Sequence, residues 1–145
     1  MADAIKILLA DDNEVVRNSI RLFLDAQVAM EVVAVAADGA EAVRLTRALQ
    51  PDVVVLDAVM PVLDGIEATR EITQLPSPPK VIILSLYSWP DLVYRSFEAG
   101  CMGYVIKSSA AEEITEAIRQ ALEERWFLSA ELRHLQAKVQ GRFGD

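Results

Sequence analysis

Five short apolar runs punctuate this chain: Ile5 to Ala10, Val32 to Ala37, Val53 to Leu56, Val81 to Leu84 and Tyr104 to Ile106. Nearly continuous apolar runs of this length suit strands of a parallel sheet, because such strands are covered on both faces. The stretches between them carry helical spacing instead. Val16, Ile20, Phe23 and Leu24 form one stripe; Val93, Ser96, Phe97 and Gly100 form another; Ile114, Ala117, Ile118, Ala121 and Leu122 form a third. Asp12 or Asn13, Asp38, Asp64, Ser88 and Ser109 stand where N-caps belong, and Pro90 suits a first helical turn. The alternation predicts an α/β fold, (βα)5, with right-handed crossovers onto a doubly wound five-stranded parallel sheet. A length of 145 residues with 52% of them apolar suits one such domain.

In sheets of this kind the site lies beyond the carboxyl ends of the strands. Asp11 and Asp12 follow the first run, Asp57 ends the third, Ser85 follows the fourth and Lys107 follows the fifth. Taken singly, each has a plain structural use: an Asp after a strand is commonly a turn former or a cap, and a Lys a solvated charge. Together they place three carboxylates, a hydroxyl and an ammonium at one sheet edge. Clustered carboxylates repel one another and raise at least one pKa unless a cation is present. A hard divalent ion removes that cost, and Mg²⁺ suits a site with few carboxylates.

These residues stand within motifs: Asp11-Asp12 after the first strand, V-V-V-L-D-A-V-M-P around Asp57, Asp64-Gly65, Ser85, and G-Y-V-I-K ending at Lys107. Over residues 4 to 127 the chain resembles the receiver domain of two-component response regulators, the CheY-like fold with strand order 2-1-3-4-5. The resemblance implies that Asp57 is the phosphoacceptor for a phosphohistidine on a sensor histidine kinase. It implies that Asp12, Asp57 and the main-chain carbonyl of Val59 bind Mg²⁺, with Mn²⁺ as a substitute, and that Asp11 assists indirectly. Lys107 and Ser85 would contact the phosphoryl group, with Ser85 in the place usually held by Thr. Tyr104 matches the switch aromatic, which turns between exposed and buried rotamers. The face that responds would comprise the fourth helix, fifth strand and fifth helix. The implied role is that of a signalling switch in the cytoplasm rather than a turnover enzyme.

Three positions depart from the family pattern. Ser108 follows Lys107 where many members have Pro, so a trans peptide is expected there. Leu86 replaces a small residue after Ser85, and Val59 replaces a polar residue two places after Asp57. Leu86, Met60 and Pro61 flank the site, and the bulk of Val59 and Leu86 should hinder an attacking water. The stretch E-E-I-T-E-A-I-R-Q-A-L-E-E-R-W-F-L-S-A-E-L resembles receivers joined to LuxR-type helix-turn-helix domains. The expected division is a receiver over residues 1–127 and a tail or linker over 128–145, with a sixth helix as one form of that tail.

Charge and cysteine usage narrow the partners. With 22 Asp and Glu against 14 Lys and Arg, this domain lacks the basic surface that phosphate backbones require, so no direct nucleic-acid binding is expected of it. Cys101, the single cysteine, can form no internal disulfide and fits no zinc pattern. No run has the length of a membrane span. A homodimer through the switch face or the tail is a further expectation. Competing readings are weaker on the residues. A haloacid-dehalogenase-type phosphatase wants an acid where Val59 stands. A flavodoxin-like nucleotide binder wants a Gly- or Ser-rich loop where A-D-D-N-E stands. A pseudo-receiver that only binds partners remains an alternative through Leu86.

Overall fold

In a computed structural model describing residues 3–143, the chain builds a six-stranded parallel sheet in the order β2-β1-β3-β4-β5-β6. The strands are β1 (Ile5–Ala10), β2 (Met30–Ala36), β3 (Val53–Asp57), β4 (Lys80–Ser85), β5 (Gly103–Ile106) and β6 (Phe127–Leu128). The helices are α1 (Glu14–Asp25), α2 (Gly39–Leu49), α3 (Gly65–Thr73), α4 (Pro90–Glu98), α5 (Ala110–Leu122) and α6 (Gln136–Phe143). The first five strands follow the expected order; β6 extends the expected five-stranded sheet by one short strand. Gly144 and Asp145, at the end of the expected tail, lie outside the described residues.

Strand side chains alternate between two cores, as the two-residue strand period requires. Leu8, Ala10, Val54, Leu56, Val81, Ile83 and Tyr104 pack with residues of α2, α3, α4 and α6. Ile7, Leu9, Val53, Val55, Ile82, Leu84 and Val105 pack with residues of α1 and α5. Both faces of the sheet are thus covered, which is why its strands read as continuous apolar runs. The carboxyl ends of β1, β3, β4 and β5 consequently open on one edge.

Capping explains where several helices begin. Asn13, Asp38 and Asp64 each accept a backbone N–H three residues on, from Val16, Glu41 and Glu67. Asn13 therefore caps α1, and Asp12 is left outside the helix with an exposed side chain. Ser88 is not the cap of α4: Trp89 holds that position without a side-chain bond, and Pro90 opens the helix. Pro90 suits that first helical position, because it has no N–H to leave unpaired. Ser109 precedes α5 but makes no capping bond, because Lys107–Ser109 form a 3₁₀ turn that leads into the helix. The peptide after Lys107 is trans; no cis peptide occurs among the described residues.

Beyond α5 the chain returns to the sheet. Gly103 pairs with Phe127 and Tyr104 with Leu128, so β6 lies parallel to β5 at the former edge. A 3₁₀ helix (Ala130–Leu135) then leads into α6, and Leu132, Leu135 and Val139 are buried in the core cluster that contains Tyr104.

Candidate phosphoacceptor and metal site

Each strand end delivers its side chain to the common edge. Asp11 and Asp57 are nearly enclosed, at 1% and 8% exposure, while Asp12 is open to solvent. Carboxylate oxygens of Asp11, Asp12 and Asp57 all lie within 4.8 Å of one another. Lys107 Nζ sits between the two buried acids, 2.8 Å from Asp11 Oδ2 and 2.9 Å from Asp57 Oδ2. It donates a hydrogen bond to Asp57. Its approach to Asp11 Oδ2 is an ion pair with poorer alignment, and that oxygen has no other partner in the site.

Backbone groups fix the remaining oxygens. The Asn13 N–H donates to Asp11 Oδ1 at 2.9 Å, and the Val59 N–H donates to Asp57 Oδ1 at 3.2 Å. Arg17, one turn into α1, donates from Nη1 to the Asp11 carbonyl at 2.9 Å. Sequence reasoning did not single out Arg17; its only signal is its position on the first turn of the helix that follows the acidic pair.

Desolvation sets the electrostatics. Burial pushes the Asp57 carboxyl above its ordinary value of 3.8 and outweighs the opposing bond and charge of Lys107; the Asp11 charge pushes the same way as burial. Burial pulls the Lys107 ammonium down, but the bonds and charges of Asp11 and Asp57 outweigh it, so its pKa rises. Both groups thus favour their protonated forms, Asp57 chiefly through burial and Lys107 through its two acidic partners. Three carboxylate side chains of oxygen donors, with one oxygen of Asp11 poorly partnered, fit a hard divalent cation.

The hydroxyl and aromatic positions are linked. Ser85 is fully buried, and its Oγ accepts the Tyr87 N–H at 3.0 Å. Tyr104 is also fully buried, and its hydroxyl donates to the Tyr87 carbonyl at 2.7 Å. Burial lifts the Tyr104 phenol to about 12. Tyr87 therefore ties Ser85 to Tyr104 through its backbone, a link that no spacing rule reveals. Tyr87 also stacks on Trp89, with ring centroids 4.3 Å apart. Around the mouth of the site, Val59 and Leu86 are largely exposed, Met60 is buried and Pro61 exposed.

A model of the response regulator receiver domain matches residues 7–119, across the strands and the acidic edge just described. The chain belongs to the response regulator receiver family. The receiver is 48% identical over 117 residues to the transcriptional regulatory protein LiaR of Bacillus subtilis, a match covering 81% of this chain and 56% of that protein. It is 37% identical over 116 residues to the response regulator protein VraR of Staphylococcus aureus, covering 80% and 56% respectively. The receiver thus spans about half the length of the curated relatives it matches. Among solved structures, a LuxR-family two-component response regulator from Aurantimonas sp. SI85-9A1 superposes with a TM-score of 0.88 at 36% identity, covering 97% of this chain and all of that one. The receiver domain of the putative regulator NarL from Mycobacterium tuberculosis gives 0.81 at 29% identity, covering 86% of this chain and all of that one. Among the described residues, no helix is long and apolar enough to cross a membrane.

Proposed function

We propose that this receiver takes a phosphoryl group on Asp57 from a phosphohistidine of a sensor kinase. The observation that carries the reading is the shared ion pair of Lys107 with Asp57 and Asp11, beside the exposed Asp12. An Asp57 carboxylate oxygen bonds to phosphorus as the P–N bond of the phosphohistidine breaks, and the imidazole leaves with the electron pair. Lys107 is placed to neutralise the phosphoryl oxygens, and the Ser85 hydroxyl to donate to one of them. Phosphoryl transfer depends chiefly on positioning and charge neutralisation, which these groups supply.

Asp12, Asp57 and the Val59 carbonyl would hold Mg²⁺ directly, with Asp11 assisting through water or through Lys107. The ion would add charge neutralisation at the phosphoryl oxygens. The product carries roughly −1.5 to −2 of charge and new acceptor oxygens, enough to redirect Ser85 and Lys107. The face built from α4, β5 and α5, on which β6 and α6 pack, would then report the change. The output is transcription, through a LuxR-type DNA-binding domain, with the receiver working in the cytoplasm.

Acetyl phosphate with Mg²⁺ tests the reading. Intact-mass measurement is expected to show one phosphoryl adduct on wild type and none on Asp57→Asn. An absent adduct, or one that persists in Asp57→Asn, refutes it and favours a pseudo-receiver that only binds partners.

A further inference from the structure

The strand that carries Tyr104 and leads into Lys107 is covered by the chain's own C-terminal segment. Tyr104 and Leu128 are direct partners in the β5–β6 pairing, so their side chains share one face of the sheet. On that face Leu128, Leu132, Leu135 and Val139 form a continuous buried cluster with Tyr104 and Phe97. The Trp126 ring packs on Phe97 at 5.1 Å, and Lys138 Nζ lies 4.8 Å from the centre of the Tyr94 ring on α4.

Hydrogen bonds fasten this cover at one residue. The Ser129 N–H donates to the Tyr104 carbonyl at 3.0 Å, and the Ile106 N–H donates to Ser129 Oγ at 2.8 Å. The Ser129 hydroxyl donates to Glu113 on α5, and the same carboxylate accepts the Ala130 N–H at 2.9 Å. Ser129 therefore brackets Val105 and bonds the residue next to Lys107.

We propose that the segment from Trp126 through α6 is a strap that holds Tyr104 in its buried rotamer and thereby raises the affinity of Asp57 for a phosphoryl group. The inference rests on the phosphoacceptor reading of Asp57. An outward swing of Tyr104 needs the space that Leu128 and its neighbours fill. While the strap is docked, the Tyr104 hydroxyl stays on the Tyr87 carbonyl, and the Tyr87 N–H stays on Ser85. Held from both sides, Tyr87 keeps the Ser85 hydroxyl in the position from which it would donate to a phosphoryl oxygen on Asp57. In a chain free to populate both rotamers, affinity falls by the fraction that is competent. The docked strap removes that loss. Reciprocity then requires a phosphoryl group on Asp57 to tighten the strap, so activation orders the C-terminal segment rather than releasing it.

The test uses the full chain with beryllofluoride and Mg²⁺, a stable mimic of the phosphoryl group. Titration calorimetry gives affinity, and hydrogen exchange over residues 126–143 reports the strap. Ser129→Ala loosens the anchor on β5, and Val139→Lys lifts α6. Val43→Ala, in the same core but on α2, controls for general destabilisation, and far-UV circular dichroism verifies that each variant is folded. Both strap variants are expected to bind beryllofluoride at least about fivefold more weakly, the low end of ordinary coupling between sites. Val43→Ala is expected to match wild type, and beryllofluoride is expected to slow exchange over 126–143 in wild type. Equal or tighter binding by both strap variants overturns the inference, as does an equal loss in Val43→Ala. If wild type itself binds no beryllofluoride, the phosphoacceptor reading fails, and the strap's role falls with it.

Discussion

Gly65 opens α3 directly beneath the phosphoacceptor, and replacing it with alanine sets two effects against each other. Its N–H donates to the Ala58 carbonyl at 2.9 Å, which holds the helix start against the loop after β3. A Cβ built on Gly65 would lie 2.0 Å from the Asp57 carbonyl oxygen and 2.9 Å from Ala58 Cα. Both obstacles are main chain and cannot be turned aside by a rotamer change. Ordinary contact therefore demands that the backbone of Asp57 or of α3 move by roughly 1 Å, and overpacking of this kind costs about 1–3 kcal/mol. Alanine's better helix propensity returns at most about 1 kcal/mol. With a backbone obstruction the cost belongs at the upper end, so Gly65→Ala should lose about 2 kcal/mol net. For a chain of this size that corresponds to a fall in Tm of roughly 4–8 °C. Urea unfolding should show a lower midpoint with an unchanged slope. Phosphorylation by acetyl phosphate should slow as well, because misplacing a reacting group by about 1 Å can cost on the order of 100-fold. A variant as stable as wild type, or more so, would show that helix propensity outweighs the close approach and would refute the reasoning.

Lys107→Ala leaves Asp11 and Asp57 buried without their cation and should cost about 3 kcal/mol at neutral pH, measured by urea unfolding. Because the folded pKa of Asp57 lies above 3.8, its contribution to stability is fully present below 3.8 and is lost as pH rises through the raised folded value; the deficit of Lys107→Ala should therefore shrink as the buffer is taken toward pH 4. Leu86→Ala and Val59→Asn should each shorten the lifetime of the phosphorylated protein, followed by intact mass over time, since both remove exposed apolar bulk beside the site; unchanged or slower decay in both would count against the idea that these side chains hinder water. Val62 has φ 69° in a tight turn where the Leu63 N–H reaches the Pro61 carbonyl at 2.8 Å. That conformation strains a β-branched residue by about 1–3 kcal/mol, against which glycine's extra freedom in the unfolded chain costs up to about 1 kcal/mol. Val62→Gly should accordingly raise the urea midpoint, and a lower one would argue that the turn is unstrained.

Local pattern was enough to place much of this molecule. Short apolar runs against helical stripes determined the strand–helix alternation and hence the parallel sheet, because burial on both faces leaves its mark on every residue of a strand. The same order put Asp11, Asp12, Asp57, Ser85 and Lys107 at strand ends, and a parallel sheet brings such ends to one edge. Only the tertiary structure decided how they meet: Lys107 bridges Asp11 and Asp57, Asn13 rather than Asp12 caps α1, and Trp89 rather than Ser88 holds the N-cap position of α4. β6 is two residues long and carries no period of its own, so its pairing with β5 depends on residues more than twenty positions away. The burial of Tyr104 likewise involves long-range contacts, since Leu128, Leu132, Leu135 and Val139 share its core cluster and none is its neighbour in sequence.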